Sequence, residues 1–203
     1  MTVARLAWRR LRRTELPCDT VEFARHLIGK LVVHQHGEQV MAGRIVETEA
    51  YPSGDPACHA YNGPTARNAS LFRERGHCYV YFIYGTWFML NVSSDREGLG
   101  AGVLLRAIEP VRGIEAMQVR RGVTRVTDVA RGPGRLAQAL AIERSLDGLD
   151  MCKPGPLCLA HGPAGVGEIG SSVRIGITRA ILQPWRFYER GNPHVSGPLR
   201  LRG

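Results

Sequence analysis

Acidic side chains and an aromatic ring alternate along Arg44-Ile-Val-Glu-Thr-Glu-Ala-Tyr51. In an extended strand every second side chain shares a face, which groups Ile45, Glu47, Glu49 and Tyr51 and turns Arg44, Val46 and Thr48 away. A carboxylate beside an aromatic ring suits an enzyme that stacks a flat substrate and activates a group next to it. By strand geometry the two glutamates lie about 7 Å apart, so each is a candidate for that task. His59 follows within a short loop and offers a further ring.

Periodicity predicts the elements that position these groups. Leu31–His36 and Val40–Tyr51 form two strands joined by the polar turn His36-Gly37-Glu38-Gln39, a hairpin whose second arm carries the octapeptide. Ahead of it, Pro17 and Asp19-Thr20 open a helix with Val21, Phe23, Ala24, Leu27 and Ile28 at helical spacing and Gly29 as its stop. A loop rich in Gly, Pro and Asn, from Pro52 to Ala69, carries His59 and Arg67 and is long enough to suggest a functional role.

Further strands are expected over Cys78–Ile83, Trp87–Ser93, Val103–Ile108, Val173–Thr178 and Trp185–Arg190. Pro110 is read as the first residue of a helix ended by Gly122, and Gly134–Glu143 as another helix behind the Gly132-Pro133-Gly134 turn. The amides at that second helix start are a candidate phosphate anchor. Gly165-Val-Gly-Glu-Ile-Gly170 matches G-x-G-x-x-G in form, yet without a preceding strand or a following helix it reads as a glycine-rich loop. Strands outnumber helices without regular alternation, which predicts an α+β fold: one domain, a largely antiparallel curved sheet and flanking helices.

The 203 residues carry a net charge of +9 and suit one domain and a polyanionic partner. Arginine supplies nearly all the cations, since only Lys30 and Lys153 are lysines, and its planar fork favours bidentate phosphate contacts. Residues 1–15, with Arg5, Arg9, Arg10, Arg12 and Arg13, read as a basic tail, and residues 16–203 as the domain. With no apolar run of membrane-spanning length and no secretory leader, an intracellular protein is expected, cytoplasmic or, in a eukaryote, nuclear. The five cysteines show no C-x-x-C pair or Cys/His cluster, so free thiols and no metal are expected; the missing P-C-x-x-C element disfavours zinc deaminase chemistry.

Taken in order, the octapeptide, His59, Gly63-Pro-Thr-Ala-Arg-Asn68, Tyr79-Val-Tyr-Phe-Ile-Tyr-Gly85, Asn91-Val, Val103-Leu-Leu-Arg-Ala107 and Arg186-Phe-Tyr-Glu-Arg-Gly191 resemble the alkyladenine (3-methyladenine) DNA glycosylases. The resemblance runs from about Leu16 to Ser196. It implies a methylpurine-DNA-glycosylase-like fold and hydrolytic removal of alkylated or deaminated purines from double-stranded DNA. No cofactor is implied, and the protein is expected to act as a monomer.

On this resemblance Glu49 is the general base that activates water, helped by Arg106 and the backbone of Ile175. Tyr51 stacks on one side of a flipped base and His59 and Tyr81 on the other, and Asn91 excludes the 2-amino group of guanine. Tyr84 is the wedge that fills the vacated position, with Leu71 and Trp87 beside it, and Arg67 meets a phosphate. Cleavage of an N-glycosyl bond develops positive charge on the sugar, which a carboxylate stabilises. Neither Lys30 nor Lys153 falls in a matched motif, so no Schiff-base amine is implied and a monofunctional enzyme is expected. Cys58 and a shortened loop before Gly63 depart from the family pattern at the pocket wall. A function of another class, a non-catalytic nucleic-acid-binding module on the same basic surface, predicts no base release.

Overall fold

The structure, a computed structural model, describes residues 8–83 and 85–198. Its strands are β1 (Leu31–His36), β2 (Gln39–Tyr51), β3 (Cys78–Ile83), β4 (Trp87–Ser93), β5 (Gly102–Arg112), β6 (Leu157–Ala160), β7 (Ile169–Ser172) and β8 (Arg186–Glu189). They pair antiparallel in the order β3-β4-β5-β2-β1-β6, with β8 joining β2 and β7 joining β8, and the sheet curls into a half-barrel. The helices are α1 (Thr20–His26), α2 (Ile114–Arg121), α3 (Val126–Val129) and α4 (Pro133–Ala139). This is the expected single α+β domain.

Strand β2 is the spine, pairing with β5 along its length, with β1 over its first half and with β8 over Glu47–Glu49. Flanked by β5 and β8, residues 45–50 are buried on both faces. The main core lies on one side, where Phe23 and Leu27 from the first helix region meet Ile45, Leu90, Leu105, Ile108 and Leu136. Helix α1 starts where Asp19 accepts the Glu22 amide at 2.8 Å, the expected cap.

The simple alternation predicted for the octapeptide fails at one point. The β2–β5 register shifts on both sides of Glu47, as a β-bulge does. Ile45 and Ala50 belong to the main core and Thr48 donates to the Ala24 carbonyl, whereas Val46 packs with Tyr188 and Val195 on the other side. Ile45 is therefore separated from Glu47, Glu49 and Tyr51, and Val46 joins their side. The bulge keeps the two carboxylates together while changing their neighbours.

Other boundaries also move. Pro110 lies inside β5, opposite Gly43, and not at a helix start. Past Leu104 that strand has left β4, so proline's missing N–H costs no ladder bond on the open edge. Helix α2 begins after Gly113, whose φ of 67° breaks the strand, and ends at Gly122 as expected. Helix α4 stops at Ala139, short of Glu143. The strand expected over Val173–Thr178 is absent; Ile169–Ser172 forms β7, so the end of the glycine-rich stretch is extended. Beyond Ser172 the Ile175 amide leaves the ladder for a side-chain acceptor and Gly176 turns to a φ of 80°.

From Trp8 onward the basic segment lies against the sheet: Arg10 bridges to Ala160, Leu11 is buried, and Arg13 pairs with Asp150 at 2.5 Å. Arg5 and the rest of residues 1–7, like Tyr84, lie outside the described residues.

Candidate active site

Glu47 and Glu49 project from β2 toward the same guanidinium. Arg106, on β5, donates Nε to Glu47 at 2.8 Å and holds Nη1 3.1 Å from Glu49. Both carboxylates are 0 % exposed, but their environments differ. Glu47 Oε1 also accepts Arg186 Nε at 2.7 Å and the Ser196 hydroxyl at 2.9 Å, while its Oε2 accepts the Ser196 amide at 2.6 Å. Burial alone would raise the Glu47 pKa; Arg106, Arg186 and the Ser196 amide outweigh it and hold the carboxyl below its ordinary value. Glu47 is thus fixed as an anion among buried partners.

Glu49 Oε1 accepts the Ile175 amide at 2.7 Å, and Oε2 accepts the Tyr51 hydroxyl at 2.8 Å. Arg106, Ile175 and Tyr51 all line one cavity of about 640 Å³, so Glu49 sits one layer behind its wall. Desolvation and the neighbouring Glu49 anion push the Tyr51 phenol far above its ordinary pKa, keeping it a donor. Burial disfavours the Arg106 cation, but Glu49 and Glu47 reverse that and raise its pKa.

Rings form part of the cavity wall. His59 lies 4.4 Å from Tyr81 between centroids and 6.1 Å from Tyr79, with its Nδ1 3.0 Å from the Tyr79 hydroxyl. Desolvation, then Arg67, lower the His59 pKa, so the neutral ring is favoured although its outer edge is exposed. Asn91 is buried in the wall with its amide donating to the Tyr79 carbonyl at 3.2 Å. Cys58, the departure noted in the sequence, also lines the cavity; its Sγ accepts the Ala60 amide at 3.4 Å and burial raises its pKa to about 11, leaving a protonated, unreactive thiol.

Of the residues expected near DNA, Leu71 is 3 % exposed and packs with Tyr79 and Ala60, supporting the cavity from inside. Trp87 is half-buried against Gly134 at the start of α4, with Arg121 over its ring at 6.0 Å. Arg67 is exposed and donates to the Phe82 carbonyl at 3.3 Å.

Sequence reasoning missed Arg174, Asp55, Arg186 and Ser196. Arg186 lay within a quoted motif, so its type was visible although its role was not. Arg174 and Asp55 carried no local signal, being joined only by the fold as a buried ion pair.

A cavity partly walled by rings, with an arginine-bound carboxylate behind it, suits a hydrolase that holds a flat substrate beside an acid–base group. The comparisons with known proteins agree: the sequence model described as Methylpurine-DNA glycosylase matches residues 14–193. A protein of Mesorhizobium japonicum provisionally named 3-methyladenine DNA glycosylase is 60 % identical over 190 residues, covering 94 % of this chain and 91 % of that one. Proteins with the same provisional name from Paraburkholderia phytofirmans and Methanoculleus marisnigri are 48 % and 47 % identical, covering 94 % and 88 % of this chain and 90 % and 94 % of their own. The chain belongs to the methylpurine-DNA glycosylase family, and its enzyme class is DNA glycosylase, a hydrolase of base excision repair.

Proposed function

We propose that this protein is a monofunctional glycosylase that draws an alkylated or deaminated purine out of double-stranded DNA into the aromatic cavity and hydrolyses its N-glycosyl bond. The substrate class comprises 3-methyladenine, 7-methylguanine, hypoxanthine and ethenoadenine. The observation that carries this reading is the unequal dressing of two adjacent carboxylates: besides the Arg106 they share, Glu47 is held by Arg186 and Ser196, which stand off the cavity wall, whereas Glu49 is held by Tyr51 and Ile175, which face the cavity.

Glu49 accepts a proton from water as the water oxygen attacks C1′, and the bonding pair of the C1′–N bond leaves with the base. The anion also stabilises the positive charge that builds on the sugar. A carboxylate oxygen has two lone pairs, so Oε2 can take a water proton beside the Tyr51 hydroxyl. Arg106 and the Ile175 amide keep the carboxylate oriented, and the product is an abasic site.

Tyr51 stacks on one face of the base, with His59 and Tyr81 on the other, and electron-rich rings favour bases that carry positive charge. Asn91 stands where a 2-amino group would intrude. Tyr84 fills the gap in the duplex, Trp87 flanks it, and Arg67 meets a phosphate. The enzyme acts as a monomer on chromosomal DNA in the cytoplasm. Among the described residues no helix is long and apolar enough to cross a membrane.

The test is base release from a panel of lesion-bearing duplexes by the wild type and by Glu49→Gln. The variant keeps duplex affinity while excision drops by about 10²–10⁴-fold. A wild type that binds these duplexes and releases no base overturns the reading in favour of a binding module.

A further inference from the structure

Tyr51 has a second partner besides Glu49. The Arg174 guanidinium carbon lies 4.6 Å from the centre of the Tyr51 ring and 5.0 Å from that of Trp185. Its side chain is fully buried and absent from the cavity wall, so it covers the ring face turned away from the cavity. Asp55 engages both terminal nitrogens, with Nη2 3.2 Å from Oδ1, and Nη1 donates to the Ala50 carbonyl at 2.9 Å. The guanidinium is therefore locked behind a ring that links the cavity to Glu49.

A cation on one face of an aromatic ring draws π density toward itself and weakens the attraction of the other face for a second cation. Asp55 partly offsets that pull. We propose that the Arg174–Asp55 pair is a specificity-setting element that acts through Tyr51, tempering the cavity's preference for cationic alkylpurines so that neutral lesions are also accepted. The proposal rests on the excision reading above. Arg174 touches no reacting atom: it positions Tyr51 and tunes the field of its ring. It also precedes Ile175, whose amide holds Glu49, so packing and charge effects must be told apart.

A ratio separates them. Excision efficiency (kcat/KM) is measured for 7-methylguanine, which is cationic, and for hypoxanthine and ethenoadenine, which are neutral, in the same duplex. Asp55→Asn leaves the Arg174 charge uncompensated and lowers the cationic-to-neutral ratio. The charge-free pair Arg174→Met with Asp55→Asn raises it, each by roughly two- to tenfold. Loss of packing alone slows all three substrates equally and leaves the ratio at the wild-type value, which overturns the proposal. Should the double variant fail to fold, the direction of the ratio in Asp55→Asn decides. A wild type that releases 7-methylguanine but neither neutral base also overturns it, and a wild type that releases none of the three defeats the excision reading itself.

Discussion

Tyr51 donates its hydroxyl to Glu49 Oε2 at 2.8 Å, two residues away on the same strand face, so the ring and the carboxylate are tied together. Tyr51→Phe keeps the ring and removes only the donor. A hydrogen bond to a charged group contributes about 1.5–3 kcal/mol, so thermal stability falls by an amount of that order while lesion binding persists. Tyr51→Leu removes the ring as well and weakens lesion binding further. Calorimetry and competition binding on the two variants check this; equal loss of lesion affinity in both contradicts the division of roles.

Glu47 is a structural anion, and its neutralisation is a stability experiment. Glu47→Gln leaves Arg106 and Arg186 short of their shared counter-charge inside the core, which costs about 3–5 kcal/mol. The folded-state pKa lies below the ordinary 4.5, so the unfolded chain takes up the proton first as pH falls. The stabilisation is complete above that ordinary value and is lost as pH drops through the lower folded value. Acid unfolding followed by circular dichroism therefore shows a slope below 4.5 that Glu47→Gln flattens. An unchanged acid transition in the variant contradicts this.

Much of the site was legible because its members are close in sequence. Glu49 and Tyr51 are two residues apart, so period-two reasoning placed them on one face, while Tyr81 came from the family resemblance. The failures have specific causes. The bulge at Glu47 shifts the phase without leaving a mark in residue type, which misplaced Ile45 and Val46. Glu47 gains Arg106, Arg186 and Ser196 across 59, 139 and 149 residues, distances over which no local pattern operates. The Val173–Thr178 segment has strand-like composition, but the buried acceptors at Glu49 and Asp55 claim the Ile175 amide and the Arg174 side chain and draw the chain out of the ladder. Pro110 carried a helix-start signal that the open edge of β5 made harmless to a strand.

His59 stays neutral where an ordinary histidine begins to charge, because desolvation and then Arg67 lower its pKa below 6.5. Binding of a duplex containing cationic 7-methylguanine should therefore hold level as pH is lowered from 7.5 to 6.5 and weaken only below that, when a charged imidazole faces the base. Arg67→Ala removes the second cause and moves the onset of weakening to higher pH, whatever it does to overall affinity. Fluorescence competition across that range checks both statements. A decline already present above 6.5 in the wild type, absent in His59→Phe, contradicts the first.

Gly197 has a φ of 83°, and a Cβ built on it would meet Ile175 Cδ1 at 2.6 Å. Ile175 in turn gives its amide to Glu49 at 2.7 Å, so a bulge forced at Gly197 reaches the carboxylate through a single residue. Gly191, with a φ of 70° and nothing within 4 Å of a built Cβ, carries the same backbone strain without the collision. Alanine at either position costs about 1–2 kcal/mol for the left-handed backbone. Only Gly197→Ala should also displace Ile175, and a misplacement of this kind lowers excision about ten- to a hundredfold at temperatures where the protein remains folded. Single-turnover excision measured alongside melting temperature separates the two effects, and equal excision by the two alanine variants breaks the link from Gly197 through Ile175 to Glu49.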